Sequence, residues 1–303
     1  MPSVIEVTSL TKYFGKEIKA VNDLSFTVPA GQVYGFLGQN GAGKSTTIRM
    51  LLTLIRPSSG HIKIFGMELE KNRKEILRRV GAIIERPDLY KYLTALENLR
   101  IFAAMSGVKV SEKKLMDQLQ KVGLAERSHS KVKTYSQGMK QRLGIATALV
   151  HDPELIILDE PANGLDPQGI ADVRKLILHL SKDLNKTLLI SSHLLGEMEL
   201  VADSMLIIDK GKKVVEGSTA ELLNPDKVQV EILSDNKERA LTVVKESNWG
   251  TGVLNTNNNT VLLEIQKAKI PELNKLLVEK QVNVFSLRIK HSLEDYFLSL
   301  TQN

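Results

Sequence analysis

Eight residues, Gly38–Ser45, read GQNGAGKS: three glycines, then a lysine and a hydroxyl. The spacing satisfies GxxxxGK[ST], and it stands between an apolar run, VYGFL, and a periodic segment, TTIRMLLTLI. That strand–loop–helix setting is the one in which the pattern cradles phosphates. Glycines let successive backbone N–H groups close around phosphate oxygens at a helix N-terminus, where the dipole favours anions. Lys44 supplies a point charge for the β- and γ-phosphates, and Ser45 offers its hydroxyl to Mg²⁺. A glycine-rich turn without a ligand requires neither the lysine nor the flanking elements. The chain is therefore expected to bind a nucleoside triphosphate through Gly38, Asn40, Gly41, Ala42, Gly43, Lys44, Ser45 and Thr46.

A second group closes LIILDE, Leu155–Glu160. Four apolar residues of a buried strand deliver Asp159 to its C-terminal end, where the ligands of open α/β sheets gather. An aspartate there can hold the Mg²⁺ shell, and the adjacent Glu160 can polarise an attacking water. Standing alone, the two acids read as the exposed end of a strand. Beside a phosphate loop they read as chemistry.

YSQGMKQR, Tyr135–Arg142, runs into the helical pattern MKQRLGIATALV. By itself it is a serine-capped helix. In this company it resembles the LSGGQ signature of the ABC ATPases, with Gln137 and Met139 departing from that consensus. The resemblance implies that Ser136 and Gly138 face the γ-phosphate held by the opposite subunit of a dimer. Further family marks follow in order. GLDP at Gly164–Pro167 resembles the D-loop, which implies a dimer contact at Asp166. SSH at Ser191–His193 resembles the switch segment, which implies that His193 bonds the γ-phosphate and the catalytic water. Tyr13 matches the aromatic that stacks on adenine. GAIIE at Gly81–Glu85 occupies the Q-loop position, with Glu85 where most members have Gln; the resemblance implies a place for Glu85 beside the metal and the reacting water.

These seven motifs span residues 1 to about 217. The spelling YGFLGQNGAGKSTTIRMLL, the glutamate in GAIIERP and the ending SLEDYFLSLT further resemble the bacitracin-type group, which includes lantibiotic-immunity exporters. That resemblance implies an ATPase, using ATP and Mg²⁺, that powers export of peptide antibiotics through separate integral membrane permease subunits. It also implies a homodimer with composite ATP sites, cytoplasmic and peripheral on the inner face of the membrane.

The elements needed to position these residues are legible as pattern. Runs such as VYGFLG, LIILD and LLISS are short, continuous and bounded by turn residues, as strands buried on both faces of a mostly parallel sheet are. Amphipathic stretches, Glu112–Val122 and Gly169–Leu184 among them, alternate with these runs. The expectation is an α/β fold: a P-loop ABC ATPase with a mixed sheet core, an antiparallel N-terminal flank and a helical signature subdomain over residues 1–217. Residues 218–303 are expected to form a linker and an accessory α+β domain. Their order is strand Val228–Leu233, helix Lys237–Ser247, two strands around NTNNN, helix Ile270–Lys280, strand Val282–Ile289 and a last helix. That order reads as a ferredoxin-like module, with Trp249 in or over its core.

Composition sets the outer limits. With 303 residues, 42% hydrophobic and 25% charged, the chain has room for one large and one small core. It has no cysteine, so disulfides and thiolate metal sites are excluded. The start, MPSVIEVTSL, lacks the pattern of a secretory leader, and no apolar run approaches the roughly 18–20 residues that cross a bilayer. The net charge is +6, but Lys and Arg are scattered, so no nucleic-acid partner is expected. Two alternatives stay open: an ABC ATPase of another export system, and a non-transport ABC ATPase acting on a macromolecular complex. The latter typically carries two cassettes or long insertions, and this chain shows one cassette. A P-loop kinase or GTPase has no use for YSQGM.

Overall fold

The computed structural model describes residues 2–15, 17–223, 227–257 and 260–290. The chain divides into two compact units, Met1–Thr219 and Ala220–Asn303.

The first unit is built on a six-stranded sheet in the order Lys212–Ser218, Ser204–Asp209, Val33–Leu37, Thr187–Ser192, Leu155–Asp159, Val80–Ile83. All neighbours are parallel except the Lys212–Ser218 edge, which closes an antiparallel hairpin. Every residue of VYGFL, LIILD and TLLISS is buried, because layers cover both faces. The register pairs Leu37 with Ser192 and Asp159 with Ser191, so three strand ends reach one carboxyl edge together.

A second, antiparallel sheet runs Ile18–Pro29, Ser3–Phe14, Ser59–Ile64, Met67–Glu68. Its Ile5, Leu10, Val21 and Phe26 share one core with Phe36, Ile48, Ile157 and Leu189, which clamps the helix Lys44–Leu51 between the sheets. The helices Ala95–Met105 and Glu112–Lys121 pack beside Gln137–Ala148 and form the helical subdomain. Each begins at a side-chain cap, from Thr94, Ser111 and Ser136 respectively.

Two element ends differ from the sequence pattern. The periodic segment TTIRMLLTLI suggests a helix through Ile55, but the helix stops at Leu51 and Thr53 turns left-handed at φ 57°. The helix expected over Gly169–Leu184 is entered through Asp166-Pro167, where Asp166 caps it and proline suits the first turn, but its regular α-helical part ends early, at Leu178. It then widens into a π-helical turn at His179–Asp183.

The second unit carries four strands in the order Val253–Asn257, Thr260–Gln266, Lys227–Ser234, Val284–Lys290, all antiparallel. With the helices Lys237–Lys245 and Ile270–Glu279 this is a βαββαβ ferredoxin-like arrangement. Alternate residues Val228, Val230, Ile232, Val261, Leu263 and Ile265 meet Ala240, Val244, Leu273 and Leu277 in a separate core. Trp249 packs against that core, partly buried. The last helix expected from SLEDYFLSLT lies outside the described residues.

Candidate active site

The strand Val33–Leu37 ends in the loop that precedes helix Lys44–Leu51. Gly43 caps that helix at φ 106°, and a Cβ there would meet Ala20 O at 2.6 Å, so only glycine fits. The loop curls back on Lys44, which is 5% exposed and donates from Nζ to Gly38 O at 2.6 Å and Gln39 O at 3.3 Å. A nearly buried cation thus sits inside a ring of backbone groups, Ala42 is buried beside it, and Ser45 and Thr46 follow at half-buried positions. Asn40 and Gly41 form the exposed crest of the loop.

Opposite the lysine stands the acid pair. Glu160 has a left-handed φ of 51° and donates its N–H to Ser191 O at 3.2 Å and to Ser191 Oγ at 2.9 Å. Glu160 Oε1 lies 3.1 Å from Lys44 Nζ, an ion pair without the alignment of a hydrogen bond, and Oε2 lies 2.8 Å from His193 Nδ1. A carboxylate only accepts, so Nδ1 carries the proton in that contact. Asp159 is 1% exposed; its Oδ1 accepts from Ser191 Oγ at 2.5 Å, and its buried Oδ2 has no hydrogen-bond partner among the described residues. A buried carboxylate oxygen left open at a phosphate loop is the donor type that Mg²⁺ selects, so the residues fit a hard cation.

Sequence-predicted residues therefore fall into groups. Lys44, Asp159, Glu160 and His193 come together. Ser136 and Asp166 each cap a helix, accepting from Met139 N at 3.2 Å and Gly169 N at 3.0 Å. The two helix starts touch where Gly138 meets Gly169: a Cβ on Gly138 would lie 3.4 Å from the Gly169 Cα. Tyr13 is 44% exposed near the end of its strand, with Lys19 Nζ 5.3 Å from its ring centroid. Glu85, at φ 61°, forms an ion pair with Arg49 of the helix Lys44–Leu51, and no hydrogen bond or ion pair joins it to Lys44, Asp159 or His193 among the described residues. Arg49 and Ser191 carried no assignment in the sequence. The signal for Ser191 was a hydroxyl directly after the apolar run LLI, in the strand beside LIILD; for Arg49 there was none.

A parallel sheet with a lysine-bearing phosphate loop and an acid pair at its carboxyl edge defines a P-loop nucleoside triphosphatase. The ABC transporter family profile matches residues 21–163. Over 303 residues the chain is 44% identical to the bacitracin transport ATP-binding protein BcrA of Bacillus licheniformis, covering 99% of this chain and 98% of that protein. The lantibiotic transport ATP-binding protein SrtF of Streptococcus pyogenes is 42% identical over 213 residues, 70% of this chain and 90% of that protein. Among solved structures, cbiO1 from Clostridium perfringens, part of the ABC transporter complex cbiONQ, has a TM-score of 0.68 at 23% identity, across 81% of this chain and 95% of that one, a likeness of fold. The chain belongs to the ABC transporter ATP-binding proteins. It is the ATP-hydrolysing subunit of an ABC transporter. Among the described residues no helix is long and apolar enough to cross a membrane.

Proposed function

We propose that this chain powers the export of a peptide antibiotic, of the bacitracin or lantibiotic kind, through separate membrane permease subunits. The likeness to a bacitracin transport protein supports this, because it runs through both units at 44% identity. In this reading residues 1–217 are the nucleotide-binding domain and residues 218–303 a linker and accessory domain. The permease partner holds the chain at the cytoplasmic face of the membrane.

Each residue then has a task. Lys44 neutralises the β- and γ-phosphates, and Tyr13 stacks on adenine. Ser45 and Asp159 would hold Mg²⁺, which when bound offsets charge on the phosphate oxygens. Glu160 accepts a hydrogen bond from the attacking water and polarises it, and His193 keeps the carboxylate turned toward it. Two copies pair head to tail, with Ser136, Gly138 and Asp166 of each facing the nucleotide on the Lys44 of the other. Glu85 enters through Arg49, which holds its carboxylate beside the phosphate-loop helix.

The observation that carries the hydrolytic reading is the Glu160 carboxylate, set between Lys44 at 3.1 Å and His193 at 2.8 Å. Glu160→Gln is expected to bind ATP normally, to lose turnover by on the order of 10²–10⁴-fold, and to elute as an ATP-trapped dimer on gel filtration. Turnover near the wild-type rate removes Glu160 from the role of base. Expressed together with its permease, the wild-type chain should raise bacitracin resistance and the variant should not.

A further inference from the structure

Ser191 sits in the strand Thr187–Ser192 and is wholly buried. Valine or isoleucine would continue the run TLLI and fill the same layer. A buried hydroxyl instead demands partners, and both of the partners it finds belong to the acid pair. Ser191 Oγ donates to Asp159 Oδ1 at 2.5 Å and accepts from the Glu160 N–H at 2.9 Å. The register brings these groups side by side, since Ser191 is paired with Asp159 across the parallel ladder.

We infer that Ser191 is a positioning residue for both carboxylates. By occupying Oδ1 it leaves Oδ2 as the oxygen that Asp159 presents, and it stops the carboxylate from rotating. By accepting from the Glu160 N–H, beside the Ser191 carbonyl oxygen, it anchors the peptide that leads into the φ 51° turn from which the side chain reaches Lys44 and His193. One hydroxyl thus ties the metal-facing acid to the water-facing acid. The inference rests on Asp159 having a place in the Mg²⁺ shell, as proposed above.

Without the hydroxyl, Asp159 is free to turn, and affinity for the metal should fall about 10–100-fold, the usual loss when an outer-shell partner is removed. The test uses the full chain and the non-hydrolysable analogue AMP-PNP. Its binding is measured in EDTA and through a Mg²⁺ titration, for the wild type, Ser191→Ala, Ser191→Thr and Asp159→Asn. Ser191→Ala should match the wild type in EDTA yet need about 10–100-fold more Mg²⁺ to reach half-maximal tightening. Ser191→Thr keeps the hydroxyl and should restore the wild-type curve. Asp159→Asn should lose the Mg²⁺ effect. A wild-type curve from Ser191→Ala, with Asp159→Asn shifted, overturns the inference and leaves the metal role of Asp159 standing. A wild-type curve from Asp159→Asn overturns that role itself. Ser191→Cys, nearly isosteric but a weak donor, covers the case in which alanine destabilises the strand: it must shift as Ser191→Ala does, and a wild-type curve from it also overturns the inference.

Discussion

Two glutamates adopt left-handed backbone, Glu160 at φ 51° and Glu85 at φ 61°, a conformation that costs a side-chain-bearing residue about 1–3 kcal/mol. Their surroundings differ. Glu160 is anchored by Ser191 on one side and by Lys44 and His193 on the other. Glu85 has Arg49, and the side chains of that pair are 64% and 41% exposed. Water screens such a pair, so its net worth is about 0–1 kcal/mol. Arg49→Gln and Glu85→Gln should therefore each move the melting temperature by no more than about 2–4 °C and leave ATP hydrolysis running, read by calorimetry and phosphate release. A collapse of turnover in Glu85→Gln at unchanged melting temperature would assign the Glu85 charge to the chemistry rather than to Arg49.

Helix starts do much of the placing in the first unit, and one of them is sensitive to acid. The helix Ala95–Met105 opens with a capping box: Thr94 Oγ1 accepts from Glu97 N at 3.2 Å, while Thr94 N and Oγ1 donate to Glu97 Oε2 at 2.7 and 2.8 Å. These donors, the backbone N–H first, hold the Glu97 carboxyl below the usual carboxylate range. A depressed acid stabilises fully above its unfolded value, and that contribution is lost as pH falls through the lower folded value. Protection of the Glu97 amide against hydrogen exchange should thus fall on acidification below about pH 4, whereas Glu97→Gln should show no such step. The same elements show what a sequence reveals. LIILD and the LLI of LLISS were legible because a strand covered on both faces runs apolar for several residues together, whatever its neighbours are. The C-terminal strand–helix order was legible because alternation in VQVEIL and TVLLEI marks one covered face. The stop at Leu51 was not, since the apolar period continues through Ile55 and only the left-handed Thr53 breaks it. Nor was the pairing of Glu85 with Arg49, because it depends on how a loop turns 36 residues away. Lys44, Asp159, Glu160 and His193 were candidates from motif and position, whereas the hydroxyl that joins the acids emerges only when two strands are laid in register.

At the scale of the whole chain, the two units have separate cores, and Lys44, Asp159, Glu160, Ser191 and His193 all lie in the first. A chain ending after Thr219 should therefore bind ATP within about twofold of the full-length affinity, as independent parts do. Folded protein of that length without ATP binding would move the boundary. Trp249 is the only tryptophan in the sequence, and it rests partly buried on the core of the second unit. Intrinsic fluorescence excited at the indole band is consequently a private signal of that unit. Followed through urea beside far-ultraviolet ellipticity, which averages over every helix and sheet, it separates the two unfolding transitions wherever they do not coincide. Without urea, a change of emission on adding nucleotide would be a message that began at Lys44 and arrived in the other unit.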